Sequence, residues 1–320
     1  MTPNSGNEAS DQVVVVTGAS SGVGRACARA FGSGGAQVGL LARNAEALSH
    51  TVGEIRRAGG GALACPVDVT DAGALEQAAA AVEERWGHID VWVNCAMATV
   101  LAPVRDMTSD EFRRVTEVTY LGYVYGTQAA LRRMLPADAG TIVQVGSALA
   151  FRSVPLQAAY CASKAATRAF TDALRTELLH DKSHVAVTQV HLPAVNTPQS
   201  LRQRNKMRRQ QQPVPPLFSP ESMADIIVLA AQRRPRQVLV GGPTWRAVLG
   251  QKLFPGLLDR YIAKKAWDSQ FIDAPNRQVD DILFDPLPDD PGAHGPYWDR
   301  EHGPDLSMRL RRAALRVGRN

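Results

Sequence analysis

The apolar positions of this chain fall into two alternating rhythms. Short, nearly unbroken apolar runs lie at residues 13–17, 36–43, 62–69, 88–93, 140–146, 184–191 and 237–241. Runs of that length predict strands buried on both faces. Between them lie longer segments, at 25–32, 44–58, 70–85, 109–134, 158–180 and 219–233, where apolar residues recur every three to four positions. That spacing gathers them on one side of a helix, as with Phe112, Val115, Leu121 and Val124 in the fourth segment. Asn44, Thr70 or Asp71, Ser109 or Asp110, and Ser219 before Pro220 stand where N-caps belong, and three glycines at 59–61 close the second helix. Strand and helix alternate throughout, which implies an α/β fold: a Rossmann-type, doubly wound parallel sheet of about seven strands over residues 11–242.

Beyond residue 242 the alternation stops. Residues 245–253 and 255–267 read as two further helices, with Leu249, Leu253, Leu257 and Tyr261 in one row and Phe254, Leu258 and Ile262 in the next. Such a stripe is expected to pack on its own domain or on a sister subunit, with a membrane surface as the alternative. Residues 273–305 hold six prolines and eight aspartates, a composition that predicts an extended, poorly packed segment. Residues 306–317 could form a short amphipathic helix with Leu306, Leu310 and Val317 on its apolar side. The chain thus divides into a polar segment 1–10, the domain 11–242, a helical extension 243–270, and a poorly ordered Pro/Asp-rich and basic tail 271–320.

Charge adds one asymmetry. The formal net charge is +5, and the five arginines Arg309, Arg311, Arg312, Arg316 and Arg319 account for all of it, since 5 − 5 leaves zero before residue 306. A solvated tail is expected, with peripheral attachment to anionic lipid as the sharper reading and nucleic acid not expected as a partner. A second cationic run, Arg202, Arg204, Lys206, Arg208 and Arg209, reads as a solvated face, with attraction of an acidic substrate as the alternative. No run approaches the ~20 apolar residues of a membrane span. The first residues lack the basic and apolar regions of a signal peptide, and Cys27, Cys65, Cys95 and Cys161 show no C-x-x-C spacing. A cytoplasmic setting with reduced thiols and no metal is expected.

Candidate chemistry sits at strand ends. The run 13–17 leads straight into Gly18-Ala-Ser20-Ser21-Gly22-Val23-Gly24 and then a helix, so backbone N–H groups and the positive helix end could hold a pyrophosphate. Ser147 follows the fifth strand, while Tyr160 and Lys164 lie four apart near the start of the next helix, hence on one face. A phenol is a poor base at neutral pH, but an ammonium nearby stabilises the phenolate, and a serine hydroxyl can hold the same substrate oxygen.

In this combination, Gly-x3-Gly-x-Gly with Ser and Tyr-x3-Lys, the chain resembles the short-chain dehydrogenase/reductase family over about residues 11–242. The resemblance implies hydride transfer between a nicotinamide dinucleotide and a carbonyl or secondary alcohol. Ser147 would orient the substrate oxygen, Tyr160 exchange its proton, and Lys164 tune Tyr160 and hold the ribose. Arg43 at the end of the second strand, with no acid beside it, favours NADP over NAD. Asp68 and Val69 would line the adenine, and Asn94 and Ala96 would lie beside the cofactor. Pro193, Val195 and Thr197 would face the nicotinamide end and the phosphates. A homodimer or homotetramer is implied as well. Three positions depart from the family: Met97 and Ala194 replace glycines, and Thr119 stands where an asparagine completes a proton relay. Those departures keep open the alternative of a dinucleotide-binding regulatory or scaffold protein with weak or no turnover.

Overall fold

The structure, a computed structural model, describes residues 11–317. Seven strands form the central sheet: β1 (Val13–Thr17), β2 (Gln37–Ala42), β3 (Gly61–Pro66), β4 (Val91–Asn94), β5 (Thr141–Ser147), β6 (Ala186–Leu192) and β7 (Gln237–Leu239). All neighbours are parallel, in the order β3-β2-β1-β4-β5-β6-β7. Parallel strands are covered on both sides, and β1 shows why its run is unbroken: Val14 and Val16 enter one core, Val13 and Val15 the other. The first core receives α1 (Gly22–Ser33) and α2 (Ala45–Arg57); the second receives α3 (Ala72–Trp86), α4 (Ser109–Thr116), α5 (Gly122–Ala137) and α6 (Ala158–His180). A single turn, α7 (Gln199–Arg202), precedes α8 (Pro220–Arg233), whose Met223, Ile226 and Ile227 complete the first core.

Local chemistry fixes the boundaries. Asn44 caps α2 and Asp71 caps α3, each accepting from a backbone N–H three residues on at 2.9 Å. The fourth helix is capped one residue earlier than expected, because Thr108 and Glu111 bond reciprocally. A π turn, Glu117–Leu121, joins α4 to α5, and Phe112 falls outside the buried stripe, 39% exposed.

The largest correction concerns the C-terminal third. Residues 271–305, expected to be poorly packed, are docked on the domain. Phe271–Pro275 pairs antiparallel with Arg209–Gln211, and Glu301–His302 pairs with Leu217–Phe218. The aspartates that suggest disorder meet the cations that suggest a solvated face. Asp281 bonds Arg204, Asp289 bonds Arg202, and Asp290 bonds Arg25 and His50. Leu283 and Tyr297 are buried beneath. Opposite charges far apart in sequence neutralise each other here, and composition alone cannot anticipate that.

After β7 come α9 (Gly241–Leu253) and α10 (Pro255–Lys265), and the chain ends in α11 (Leu306–Val317). The terminal helix is not a solvated tail. Met308 and Leu315 are buried, Arg312 pairs with Asp225 at 2.6 Å, and Leu306 and Leu310 face outward. The row Leu249, Leu253, Leu257 and Tyr261 does not pack on its own domain either. The segment 1–10 and Arg319 lie outside the described residues.

Candidate active site

The strand order reverses between β1 and β4, and a crevice opens at their carboxyl ends, the usual ligand position in such sheets. The turn after β1 is pressed against the loop after β4. Thr17 Oγ1 accepts from the N–H groups of Cys95 (2.9 Å) and Ala96 (3.2 Å), and a Cβ on Gly18 would stand 2.9 Å from Ala96 Cα. Gly18 also has φ +72°, where side chains are strained. Sequence reasoning missed Thr17, although a hydroxyl at the end of a buried strand requires a partner.

A cavity of about 500 Å³ runs through the crevice. At one end it is lined by Gly18, Ser20, Ser21, Gly22, Val23 and Gly24 together with Arg43, Asp68 and Val69. Its middle passes Ala96, Pro193, Val195 and Thr197, and the other end reaches Ser147, Tyr160 and Lys164. Met97, Leu149, Val154, Val214 and Pro243 line the cavity as well, beside the polar Gln157, Gln211 and Gln212. A glycine cradle, a helix N-terminus and a volume in the usual range for small ligands fit a dinucleotide.

Part of the first end is already engaged by the docked C-terminal segment. The Gly22 N–H donates to the Gly292 carbonyl at 3.2 Å, and Arg43 donates to the carbonyls of Ile282 and Phe284, each at 2.5 Å. Burial, with Arg114 close by, lowers the Arg43 pKa from its ordinary value. Asp68 accepts from Arg114 and from Thr70 N and Oγ1. Burial pushes its carboxyl up, but those bonds outweigh it and hold the pKa below the ordinary carboxylate value.

Asn94 does not reach the crevice. Its amide accepts from Trp92 Nε1 (2.9 Å) and donates to Gln144 Oε1 (3.0 Å) and Thr127 Oγ1 (3.2 Å), a fully buried network behind β4. Its partners on three elements satisfy both ends of the amide, which turns it inward.

Ser147 ends β5, where its Oγ accepts from Leu149 N at 3.1 Å. Burial raises the Tyr160 phenol above its usual pKa, and the hydrogen bond to Ser147 opposes the rise. Lys164 is 3% exposed; its ammonium donates to Tyr123 Oη (2.7 Å) and the Val145 carbonyl (2.8 Å) and lies 5.8 Å from the Tyr160 ring centre. Desolvation lowers its pKa to about 7.

Thr119 is placed differently from expectation. Its hydroxyl accepts from Ala98 N and donates to Ala98 O, both at 2.9 Å, so it pins the loop after β4 and does not bond Lys164. One turn later in the same helical run, Tyr123 stands beside Lys164 and donates to Val145 O at 3.0 Å. A tyrosine four positions after the expected relay residue shares its helix face, which was the available signal.

A dinucleotide-sized crevice at a switch point, floored by glycines and ending at a phenol beside an ammonium, is the layout of a nicotinamide-dependent oxidoreductase. The family model described as short chain dehydrogenase matches residues 12–208, and the chain belongs to that family. It is 31% identical over 278 residues to the uncharacterized oxidoreductase YxnA of Bacillus subtilis, covering 86% of this chain and 78% of that one. It is 35% identical over 265 residues to dehydrogenase/reductase SDR family member 7B of Bos taurus, covering 79% and 81%. Among solved structures, an alcohol dehydrogenase from the archaeon Thermococcus sibiricus, complexed with 5-hydroxy-NADP, matches with a TM-score of 0.60 at 26% identity. That match covers 71% of this chain and 93% of that one. The protein is an NAD(P)-dependent oxidoreductase that interconverts carbonyl and alcohol groups. These relatives give no support to a regulatory or scaffold protein with weak or no turnover.

Proposed function

We propose that the protein is an NADP-dependent oxidoreductase acting on the CH–OH group of an uncharged, largely apolar secondary alcohol or on the corresponding carbonyl. The observation that carries this reading is the meeting of Ser147, Tyr160 and Lys164 in one cavity whose lining is mostly apolar and whose polar members are chiefly neutral, among them the amides of Gln157, Gln211 and Gln212. The nicotinamide supplies or accepts the hydride. In the reductive direction the Ser147 hydroxyl donates to the substrate oxygen and orients it. Tyr160 gives its proton to that oxygen as negative charge develops, and the Lys164 ammonium stabilises the resulting phenolate. Oxidation runs the same steps backward, with Tyr160 as base. Arg43 is the cation at the adenosine end and supports NADP; Asp68, committed to Arg114, is read as structural. A panel of ketones, aldehydes and secondary alcohols, followed optically with NADPH and NADH, tests the proposal. Turnover of apolar neutral substrates with an NADPH preference is expected, and a requirement for anionic substrates would sink it. Assembly as a homodimer or homotetramer and residence in the cytoplasm complete the reading. Light scattering checks the assembly. Among the described residues no helix is long and apolar enough to cross a membrane.

Tyr123 is expected to position Lys164 and favour its charged form. The ammonium donates to Tyr123 Oη, so Tyr123→Phe removes an acceptor that only the charged lysine fully uses. A hydrogen bond to a charged group contributes about 1.5–3 kcal/mol, or roughly one to two pKa units. The free enzyme's kcat/KM for NADPH should fall as pH rises through about 7, where Lys164 loses its proton. In Tyr123→Phe that fall should begin about one unit lower. A lower plateau with an unmoved break would mean that Tyr123 only supports packing.

The C-terminal segment gives a second expectation. Its carbonyls at Gly22 N–H and Arg43 hold donors that phosphate groups of the cofactor need. Asp289→Asn with Asp290→Asn removes the charges that pair with Arg202, Arg25 and His50. Releasing the segment should then cost less, and NADPH should bind about tenfold tighter, a change of about 1.4 kcal/mol. Weaker binding in the titration would mean that the segment clamps the cofactor and does not compete with it.

A further inference from the structure

The helix α10 has no buried residue, yet it carries Leu257, Leu258, Tyr261 and Ile262. Leu253, Phe254, Leu257 and Tyr261, at the α9–α10 corner and along α10, are each at least 60% exposed, and Leu249 extends the row along α9. On α11, which packs against α9, Leu306 and Leu310 are exposed as well. Isolated exposed leucines need no explanation, but a row along α9 and α10, with two more exposed leucines on the adjoining α11, is apolar surface that awaits a partner.

The charges of the same helices select that partner. Two cations lie in α9, three in α10 and four in α11, nine in all, against the one acid Asp259. The three helices therefore hold a formal +8, and since the whole chain is +5 the remainder is −3. Asp259 is taken by Arg152 at 2.7 Å, and among the described residues Arg312 is the one cation of the nine with an acidic partner, Asp225. A second copy stacked through this face would bring +8 against +8. A nucleic acid would engage the cations through its phosphates but leave Leu249, Leu253, Leu257, Leu306 and Leu310 facing water or a polar backbone. An anionic phospholipid surface satisfies both properties, taking the leucines at the acyl boundary and the cations at the headgroups.

We propose that the α9–α10–α11 face docks the protein on anionic membrane surfaces without spanning them. The face lies at the substrate end of the cavity. Pro243, in the first turn of α9, lines the cavity, Gly242 N–H donates to Asp305 just before α11 at 2.8 Å, and Arg152 beyond Ser147 reaches both Gln251 and Asp259. Docking would therefore bring the substrate end of the crevice towards the lipid. The inference does not depend on the reaction proposed above, because it is tested by binding alone.

Flotation of the full-length protein with vesicles tests it. Vesicles of phosphatidylcholine with about one third phosphatidylserine should carry the protein at low salt, and pure phosphatidylcholine should not. Each cation within a Debye length multiplies partitioning about fivefold, so 1 M salt should release most of it. Leu253→Ser, Phe254→Ser and Leu257→Ser together should cut the bound fraction at least tenfold. These residues are exposed, so the variant should keep its thermal midpoint and its NADPH affinity. Failure of the wild type to float with anionic vesicles at low salt overturns the proposal. Undiminished binding by the triple variant overturns it too, and so does a wild-type dimer that the triple variant dissociates, which would make a second copy the occupant.

Discussion

Tyr160→Phe should lower turnover about a thousandfold or more while leaving the NADPH dissociation constant within about threefold. General acid–base catalysis contributes roughly 10²–10⁴, and this substitution removes the proton that reaches the substrate oxygen. The ring is retained, and Tyr160 packs by its ring against the core beneath β5 and α6. Ser147 Oγ keeps its bond from Leu149 N in the variant. The fold and the dinucleotide cradle should therefore survive, and stopped-flow turnover beside fluorescence titration of NADPH separates the two effects. Unchanged turnover would remove Tyr160 from the mechanism and leave Lys164 without a function in proton transfer. A large loss of NADPH affinity would instead show that the hydroxyl mainly anchors the cofactor.

What could be read from the sequence was local. Each sheet strand announces itself because parallel strands are buried on both faces, so its apolar run is nearly unbroken. Ser147, Tyr160 and Lys164 are legible for a related reason: a strand end and an i, i+4 pair define directions within a few residues. The direction of Asn94 is not legible locally, because it depends on Trp92, Thr127 and Gln144, from three elements. Thr119 was placed on the right helix, but its bonds to Ala98 arise from a π turn that no local propensity marks.

The C-terminal third resisted for a different reason. Proline and aspartate together describe a chain unable to bury enough apolar surface by itself. Here the aspartates find Arg25, Arg202 and Arg204 across sequence separations of 265, 87 and 77 residues. Two features with opposite bland readings, an acidic loop and a basic face, become one docked segment only when the fold brings them together. Arg43, legible as a strand-end cation, is met there by backbone carbonyls, which have no sequence signature at all.

Two glycine substitutions should have opposite signs. In Gly24→Ala the new Cβ would stand 2.2 Å from the Gly18 carbonyl oxygen and 2.7 Å from its carbon, both rigid backbone atoms. No rotamer relieves that contact, because a methyl has none. The start of α1 must move away from the turn by several tenths of an ångström or more. The N–H groups that converge on a phosphate would then diverge. NADPH binding is expected to weaken about tenfold or more, roughly 1.4 kcal/mol, and overpacking should cost roughly 1–3 kcal/mol of stability, lowering the thermal midpoint by several degrees. In Gly53→Ala, within α2, nothing lies within 4 Å of the new Cβ. Alanine restricts the unfolded chain and suits a helix, so stability should rise by about 0.5–1 kcal/mol with NADPH affinity unchanged. Calorimetry and a cofactor titration on both variants decide it. If Gly24→Ala binds NADPH normally, the close packing of α1 on the glycine turn is not what shapes the phosphate site.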